Sequence, residues 1–169
     1  DQIRCRKVIT TIPAYALPPL LPFIPTEQIN RISNLAYAPV MQVCVGLRNT
    51  YGKEFPAFGG LVPSCEQKSV LGILFPSACF SNRSPKDGAL YSYFLGGTRH
   101  PELLTKSNDE ITTLIGTTMH EMLNYPVGIV PDLIRIFRHE KAIPQYESSS
   151  ADRFTTINEL QKQYPGLVL

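Results

Sequence analysis

Apolar and polar residues alternate most strictly over residues 39–47. There Met41, Val43, Val45 and Leu47 fall on one side, and Val40, Gln42, Cys44 and Gly46 on the other. A two-residue period sends neighbouring side chains to opposite faces of a sheet, so this stretch predicts a strand with one firmly apolar face. Three further runs read as strands: 58–62 (F-G-G-L-V), 70–75 (V-L-G-I-L-F) and 89–95 (A-L-Y-S-Y-F-L). Turn residues join them: Pro63-Ser64, then Pro76-Ser77, then Asn82 to Gly88 with its Lys86-Asp87-Gly88 turn. Consecutive strands on short polar connections predict an antiparallel meander. Residues 6–13 are β-branched and end at Pro13, which predicts a short buried strand leading into a loop.

Elsewhere the period lengthens to that of a helix. After the proline-rich stretch 18–25, Pro25-Thr26 opens a short amphipathic helix carrying Ile29, Ile32 and Leu35 on one side. The clearest helix is 108–124: Ser107 and Glu110 have capping-box spacing, and Ile111, Leu114, Ile115, Thr118 and Met122 share a face. A strand over 133–138 alternates Ile134 and Ile136 against Leu133, Arg135 and Phe137. A last helix begins near Ser149–Asp152, presents Phe154, Ile157, Leu160 and Tyr164, and stops at Pro165-Gly166. Strands in a run, then helix, strand, helix, predict an α+β fold: a largely antiparallel sheet covered on one side by helices.

The chain has 169 residues, 43% hydrophobic and 18% charged, which is a globular composition. Its formal charge of +2 is scattered, which argues against nucleic acid and against a polybasic membrane signal. The longest apolar run, A-L-P-P-L-L-P-F-I over 16–24, is too short and too interrupted to span a bilayer. No signal peptide is visible, and the missing initiator Met together with the Gly166-Leu167-Val168-Leu169 ending points to an excised segment. Cys5, Cys44, Cys65 and Cys79 have no metal-ligand spacing and read as reduced thiols of an intracellular protein.

Candidate chemistry is sparse. The chain has no G-x-G-x-x-G after a strand, no P-loop and no G-x-S-x-G. His100, His120 and His139 are far apart and read as solvated or structural, and no metal site or catalytic acid or base emerges. Glycines inside the strand region say more: Gly59-Gly60, Gly72 and Gly96-Gly97. They mark either bulges and turns, or a close approach of backbone to something flat. Phe58, Leu61, Leu74 and Phe94 beside them suit a pocket for a bulky planar apolar ligand, and equally suit a core. Arg99 could pair with a ligand carboxylate or stand as a surface loop residue.

Six stretches occur in a telling order: K-V-I-T-T-I-P-A-Y-A (7–16), Y-A-P-V (37–40), F-G-G-L-V-P-S (58–64), V-L-G-I-L-F (70–75), F-L-G-G-T-R (94–99) and A-I-P-Q-Y (142–146). Together they resemble the oxygen-dependent protoporphyrinogen oxidase family, within the flavin-containing amine oxidase superfamily. The resemblance implies an FAD enzyme that oxidises protoporphyrinogen or coproporphyrinogen to the porphyrin in haem synthesis, with O2 as acceptor and hydride passing to the flavin. It implies that residues 1–24 and 142–169 are pieces of the FAD-binding domain and that 25–141 form the porphyrinogen-binding domain. Phe58, Gly59, Leu61, Leu74 and Phe94 fall on positions that line the family's substrate cavity, where they contain and orient the ring.

The dinucleotide fingerprint is missing from this chain, as is the upstream arginine that the family uses for a propionate. The chain alone is therefore expected to be inactive. The implied location is cytoplasmic, or peripheral on the inner face of the cell membrane. The oligomeric state is unreadable. Two other readings stand beside this one: a phytoene desaturase-like or amine-oxidising enzyme of the superfamily, and a stand-alone domain that binds a hydrophobic ligand without redox activity.

Overall fold

A computed structural model describes residues 3–169, and these divide into two compact units. One runs from Ala38 to Ile143; the other joins the residues up to Tyr37 with Pro144–Leu169.

The first unit holds a five-stranded antiparallel sheet with the order β3-β4-β5-β2-β6. Its strands are β2 (Tyr37–Leu47), β3 (Gly59–Leu61), β4 (Val70–Leu74), β5 (Ala89–Gly96) and β6 (Leu133–Pro144). β3, β4 and β5 form the expected meander, but β2 does not precede them in the sheet. It folds back to pair with β5 over eight residues, from Val40 against Gly96 to Leu47 against Ala89. The reason lies in length and apolarity: β2 and β5 are the strands most buried on one face, so they take the centre, and the long 48–58 connection lets them.

Met41, Val43, Val45 and Leu47 of β2, with Tyr91, Tyr93 and Leu95 of β5, are 0–3% exposed and form the core face. α4 (Asn108–Leu123) covers that face with Ile111, Ile115, Met119 and Leu123. The expected row of Leu114 and Met122 lies at the rim of this stripe, half-buried, and the deepest positions are one residue further round the helix. Ile134 and Ile136 of β6 pack against the same core. Tyr91 and Tyr125 bring their hydroxyls within 2.7 Å of each other, so two buried polar groups satisfy one another. Burial pushes both phenols up from their ordinary value.

The second unit is smaller. Its strands β1 (Val8–Ile9) and β7 (Leu167–Val168) pair in parallel, and its helices are α1 (Leu17–Leu20), α2 (Thr26–Ser33) and α5 (Ser150–Gln163). A core of Leu17, Leu21, Ile24, Ile29, Ile32, Leu160 and Leu167 holds it together. The buried strand expected over 6–13 shrinks to two exposed residues, because its only ladder is the two-residue β7. The Pro18-Pro19 stretch makes a helical turn, since proline in a first turn gives up no hydrogen bond. Phe154, expected on the buried face of α5, is 52% exposed; Ser150, Thr156 and Leu160 are the buried positions. Ile29 and Ile32 bury with Leu17, Leu21 and Leu160, so the smaller compact unit runs on through α2 to Tyr37. At the other end β6 extends through the A-I-P of 142–144.

The remaining helix is α3 (Pro76–Cys79), a single turn after β4. All four cysteines are free thiols. No helix among the described residues is long and apolar enough to cross a membrane.

The start of α4 is a complete capping box. The Ser107 Oγ accepts from the Glu110 N–H at 3.2 Å, and Glu110 Oε2 accepts from the Ser107 N–H at 2.9 Å. The Ser107 backbone N–H and the Lys106 ammonium hold the Glu110 carboxyl down at about 2. A lowered pKa stabilises the fold above the ordinary value of 4.5, and this contribution fades as pH falls from 4.5 toward 2. In the intact protein, Ser107→Ala is expected to cost about 1 kcal/mol in denaturant unfolding. Melting curves of Glu110→Gln and wild type should converge as pH falls through that window, and a gap that stays constant with pH would contradict the assignment.

Candidate functional site: the open face of the sheet

α4 fills one face of the five-stranded sheet. On the other face of β5, Leu90, Ser92 and Phe94 alternate with the core residues Tyr91, Tyr93 and Leu95. Across the ladder, Gln42 of β2 stands against Phe94, and Cys44 against Ser92. On the opposite flank, Gly72 of β4 pairs with Phe94, and Leu74 with Ser92. β3 follows, with Leu61 against Gly72 and Gly59 against Leu74. The two-residue period thus gathers Gly59, Leu61, Leu74 and Phe94 on one face.

Leu61 is 87% exposed, which is unusual for leucine in a strand. Phe58 stands just outside β3, at the edge of the sheet; its ring is 68% exposed and its carbonyl accepts the Phe75 N–H at 2.9 Å. Four of the five positions picked from sequence therefore share a surface, and Phe58 flanks it.

The glycines have an explanation within the chain. A Cβ on Gly59, whose φ is +150°, would lie 2.3 Å from the Ile73 carbonyl oxygen and 2.8 Å from Leu74 Cδ2. A Cβ on Gly72 would lie 2.8 Å from the Gly60 carbonyl oxygen and 3.0 Å from Leu61 Cδ2. The two leucine side chains lie over the two glycines, and the ladder slips by a residue between Val70 and Gly72. Bulge and close approach both occur, and the approach is of strand to strand. The result is a flat wall of leucine methyl groups.

Sequence reasoning left out the far half of this face. The side chain of Leu133 stands over Gly46, 3.1 Å from where a Cβ would sit. Leu133, Arg135 and Phe137 therefore share the open face, while Ile134 and Ile136 turn into the core. The alternation over 133–138 was readable, but nothing in it says which side meets α4. Between the two apolar halves runs a polar strip, in which Gln42 Nε2 donates to Ser92 Oγ at 3.4 Å and Cys44 Sγ lies 3.9 Å from the same oxygen.

This surface can hold a flat apolar molecule by dispersion and exclude water from one side of it. No histidine, aspartate or glutamate stands in the β2–β5 part of it, so it offers no evident proton-transfer group. His100 pairs with Glu102 on an exposed turn, with Nδ1 3.1 Å from Oε1, and the Nδ1–H of His120 donates to the Tyr125 carbonyl at 2.7 Å. Arg99 is exposed and forms no ion pair with another described residue. Among the described residues no group of three His, Cys, Asp or Glu converges as a metal site. A polar cleft of about 700 Å³ lies elsewhere, lined by loop residues such as Asn49, Lys53, Ser84 and Asp87, and none of the five positions borders it.

The family model described as flavin containing amine oxidoreductase matches residues 1–164. Protoporphyrinogen oxidase 2, chloroplastic/mitochondrial, of Arabidopsis thaliana is 32% identical over 143 residues, which is 82% of this chain and 28% of that protein. The chain thus spans little more than a quarter of the length of such relatives. A protein from Exiguobacterium sp. 255-15, provisionally named protoporphyrinogen oxidase, shares the fold with a TM-score of 0.70 at 20% identity, over 96% of this chain and 35% of that one. Reduced UDP-galactopyranose mutase is as similar in fold, with a TM-score of 0.70 at 12% identity, over 98% of this chain and 35% of that one.

The glycine packing makes a graded expectation for the intact protein. Gly59→Ala forces a methyl group onto a carbonyl oxygen at a backbone angle that L-residues avoid, and should cost roughly 2–3 kcal/mol. Gly60→Ala meets nothing within 4 Å and should stay within about 0.5 kcal/mol of wild type. Equal midpoints for the two variants in urea unfolding would refute this account of the wall.

Proposed function

Because this chain belongs to the flavin-containing amine oxidoreductase family, we propose that its open sheet face is the porphyrinogen-contacting wall of an FAD-dependent oxidase. That enzyme converts protoporphyrinogen or coproporphyrinogen to the porphyrin, with O2 as acceptor. The observation that carries the reading is the convergence of Leu61, Leu74 and Phe94 on one exposed apolar surface, away from the core. The relative's name, protoporphyrinogen oxidase, supports the substrate class.

A porphyrinogen is a large, mostly apolar macrocycle whose oxidation removes hydrogens from carbon and nitrogen. Its binding wall must exclude water and fix the ring's distance and tilt, which calls for shape and dispersion contacts rather than a side-chain acid. Leu61 and Leu74 supply the flat contact, Phe94 an aromatic surface beside them, and Gly59 the room for Leu74 to lie flat. Phe58 closes the edge of the sheet. The Ala38–Ile143 unit is the substrate-binding part, and the terminal segments belong to the flavin-binding part.

FAD, when bound, accepts the substrate's hydrogens and passes the electrons to O2. The residues described here do not build its phosphate site. The Gly96-Gly97 pair leads into a 3-10 turn at Pro101–Thr105, so no glycine turn opens onto a helix there. Other segments of the full-length protein therefore hold the dinucleotide. The resemblance supports a cytoplasmic location for the same enzyme, with peripheral contact at the inner face of the cell membrane as its extension.

The full-length gene product should show flavin absorbance, and porphyrin fluorescence should rise as oxygen is consumed; a purified protein without flavin, or one that oxidises an amine but no porphyrinogen, would displace this function. Leu61→Ala tests the wall itself. Leu61 is 87% exposed, so stability should move by less than about 0.5 kcal/mol. Two or so methylene contacts to substrate are lost, so KM should rise roughly tenfold.

A further inference from the structure

The open face carries one guanidinium among apolar residues. Arg135 is exposed and lies between Leu133, 40% exposed, and Phe137, 47% exposed. Its Nη1 donates to the adjacent Ile134 carbonyl at 3.1 Å, and no carboxylate of a described residue forms an ion pair with it. Four of its five N–H donors are thus uncommitted. Its neighbours differ. Arg138 spends its donors on the Leu104 and Lys106 carbonyls and on Asn108 Oδ1, and Arg48 lies 3.7 Å from Asp132. Of these three arginines, only Arg135 is left without such a commitment, and it is on the open face.

The position within the sheet matters as much as the charge. β6 lies beside β2, with Asp132 bonded to the Arg48 N–H at one end and the Gln145 N–H to the Ala36 carbonyl at the other. Two residues on from Leu133, which covers Gly46, Arg135 moves toward the row formed by Cys44, Ser92 and Leu74. Three strand spacings separate β4 from β6, about 14 Å. That suits a tetrapyrrole lying on Leu74 and Phe94 with a propionate arm extended toward β6.

We propose that Arg135 binds a carboxylate of the porphyrinogen and so sets which way round the macrocycle lies on the leucine wall; this rests on the reading of the face as porphyrinogen-binding. Dispersion contacts on a flat wall are non-directional and leave the ring free to turn in its own plane. The propionate carboxylates are the charged groups of the substrate, and a guanidinium fork grips one of them with defined geometry. Arg135 is therefore an orienting residue and takes no part in the hydrogen transfer.

The test uses the full-length flavoprotein and two ligands, protoporphyrin with free carboxylates and its dimethyl ester, titrated by fluorescence. Arg135→Ala should weaken the free acid roughly fivefold and leave the ester unchanged, which also shows that the variant is folded. Arg135→Lys should recover part of the loss, since it keeps the charge without the fork. In turnover, KM for the porphyrinogen acid should rise while kcat holds. Equal weakening of acid and ester, or no change in either, overturns the role of Arg135. A wild-type protein that oxidises no porphyrinogen overturns the function beneath it. A wild type that is active while Arg135→Ala binds the free acid normally overturns the orienting role alone.

Discussion

The β2–β5 ladder is the constraint on which everything else in the larger unit depends. Its register, Val40 against Gly96 through Leu47 against Ala89, lets one set of alternate residues build the core and the other build the open face. A slip of β2 by one residue against β5 would carry Gln42 and Cys44 under α4 and expose Met41 and Val43 to water. Several fully buried side chains depend on that single choice, each contributing about 1.5–3 kcal/mol when removed from water. The open face is thus not independently specified: it is whatever the core leaves over. Its apolar character is then a departure from the polar outer face that an ordinary antiparallel sheet shows.

That departure is concentrated at β3 and β4. Gly59 and Gly72 permit the two strands to approach so closely that Leu74 and Leu61 lie across them, and no residue with a Cβ fits in either place. A sheet meant only to be solvated would have no need of this arrangement, because any polar β-former would serve at those positions. The glycines weaken the strand and expose leucine at the same time, two costs that core packing does not offset. Local rules broken without a gain in stability are the usual trace of a binding surface.

How far the sequence was legible follows from the same geometry. Strict alternation over 39–47 and the strand-like run over 89–95 located both central strands, and Ser107 with Glu110 located the helix, because each signal is local. The order of the strands was not legible: pairing β2 with β5 is a contact between residues some fifty positions apart, and the expected meander follows chain order only. The two-residue β1 was overread because a β-branched run carries no information about whether a partner exists. Of the face, Leu61, Leu74 and Phe94 were found through their glycine neighbours, whereas Leu133, Arg135 and Phe137 have none beside them. Their side of β6 is set by which residues α4 happens to meet, a tertiary fact.

The fold does not select the chemistry. Reduced UDP-galactopyranose mutase shares it to the same TM-score as the protein provisionally named protoporphyrinogen oxidase, with only 12% of residues in common with this chain. The shared fold therefore carries no function by itself, and a function has to be argued from side chains. On the proposed reading those side chains need not move protons. They need to present a flat apolar wall, of which Leu61 and Leu74 are the built part, and one charge to break its symmetry. Gln42, Cys44 and Ser92 are bound to one another across the middle, and as neutral groups they bind a ligand carboxylate less strongly than a guanidinium does. The uncommitted guanidinium of Arg135 is then the charge that stands beside Leu133 and Phe137, and the ring's orientation follows from where it lies relative to Leu74 and Phe94.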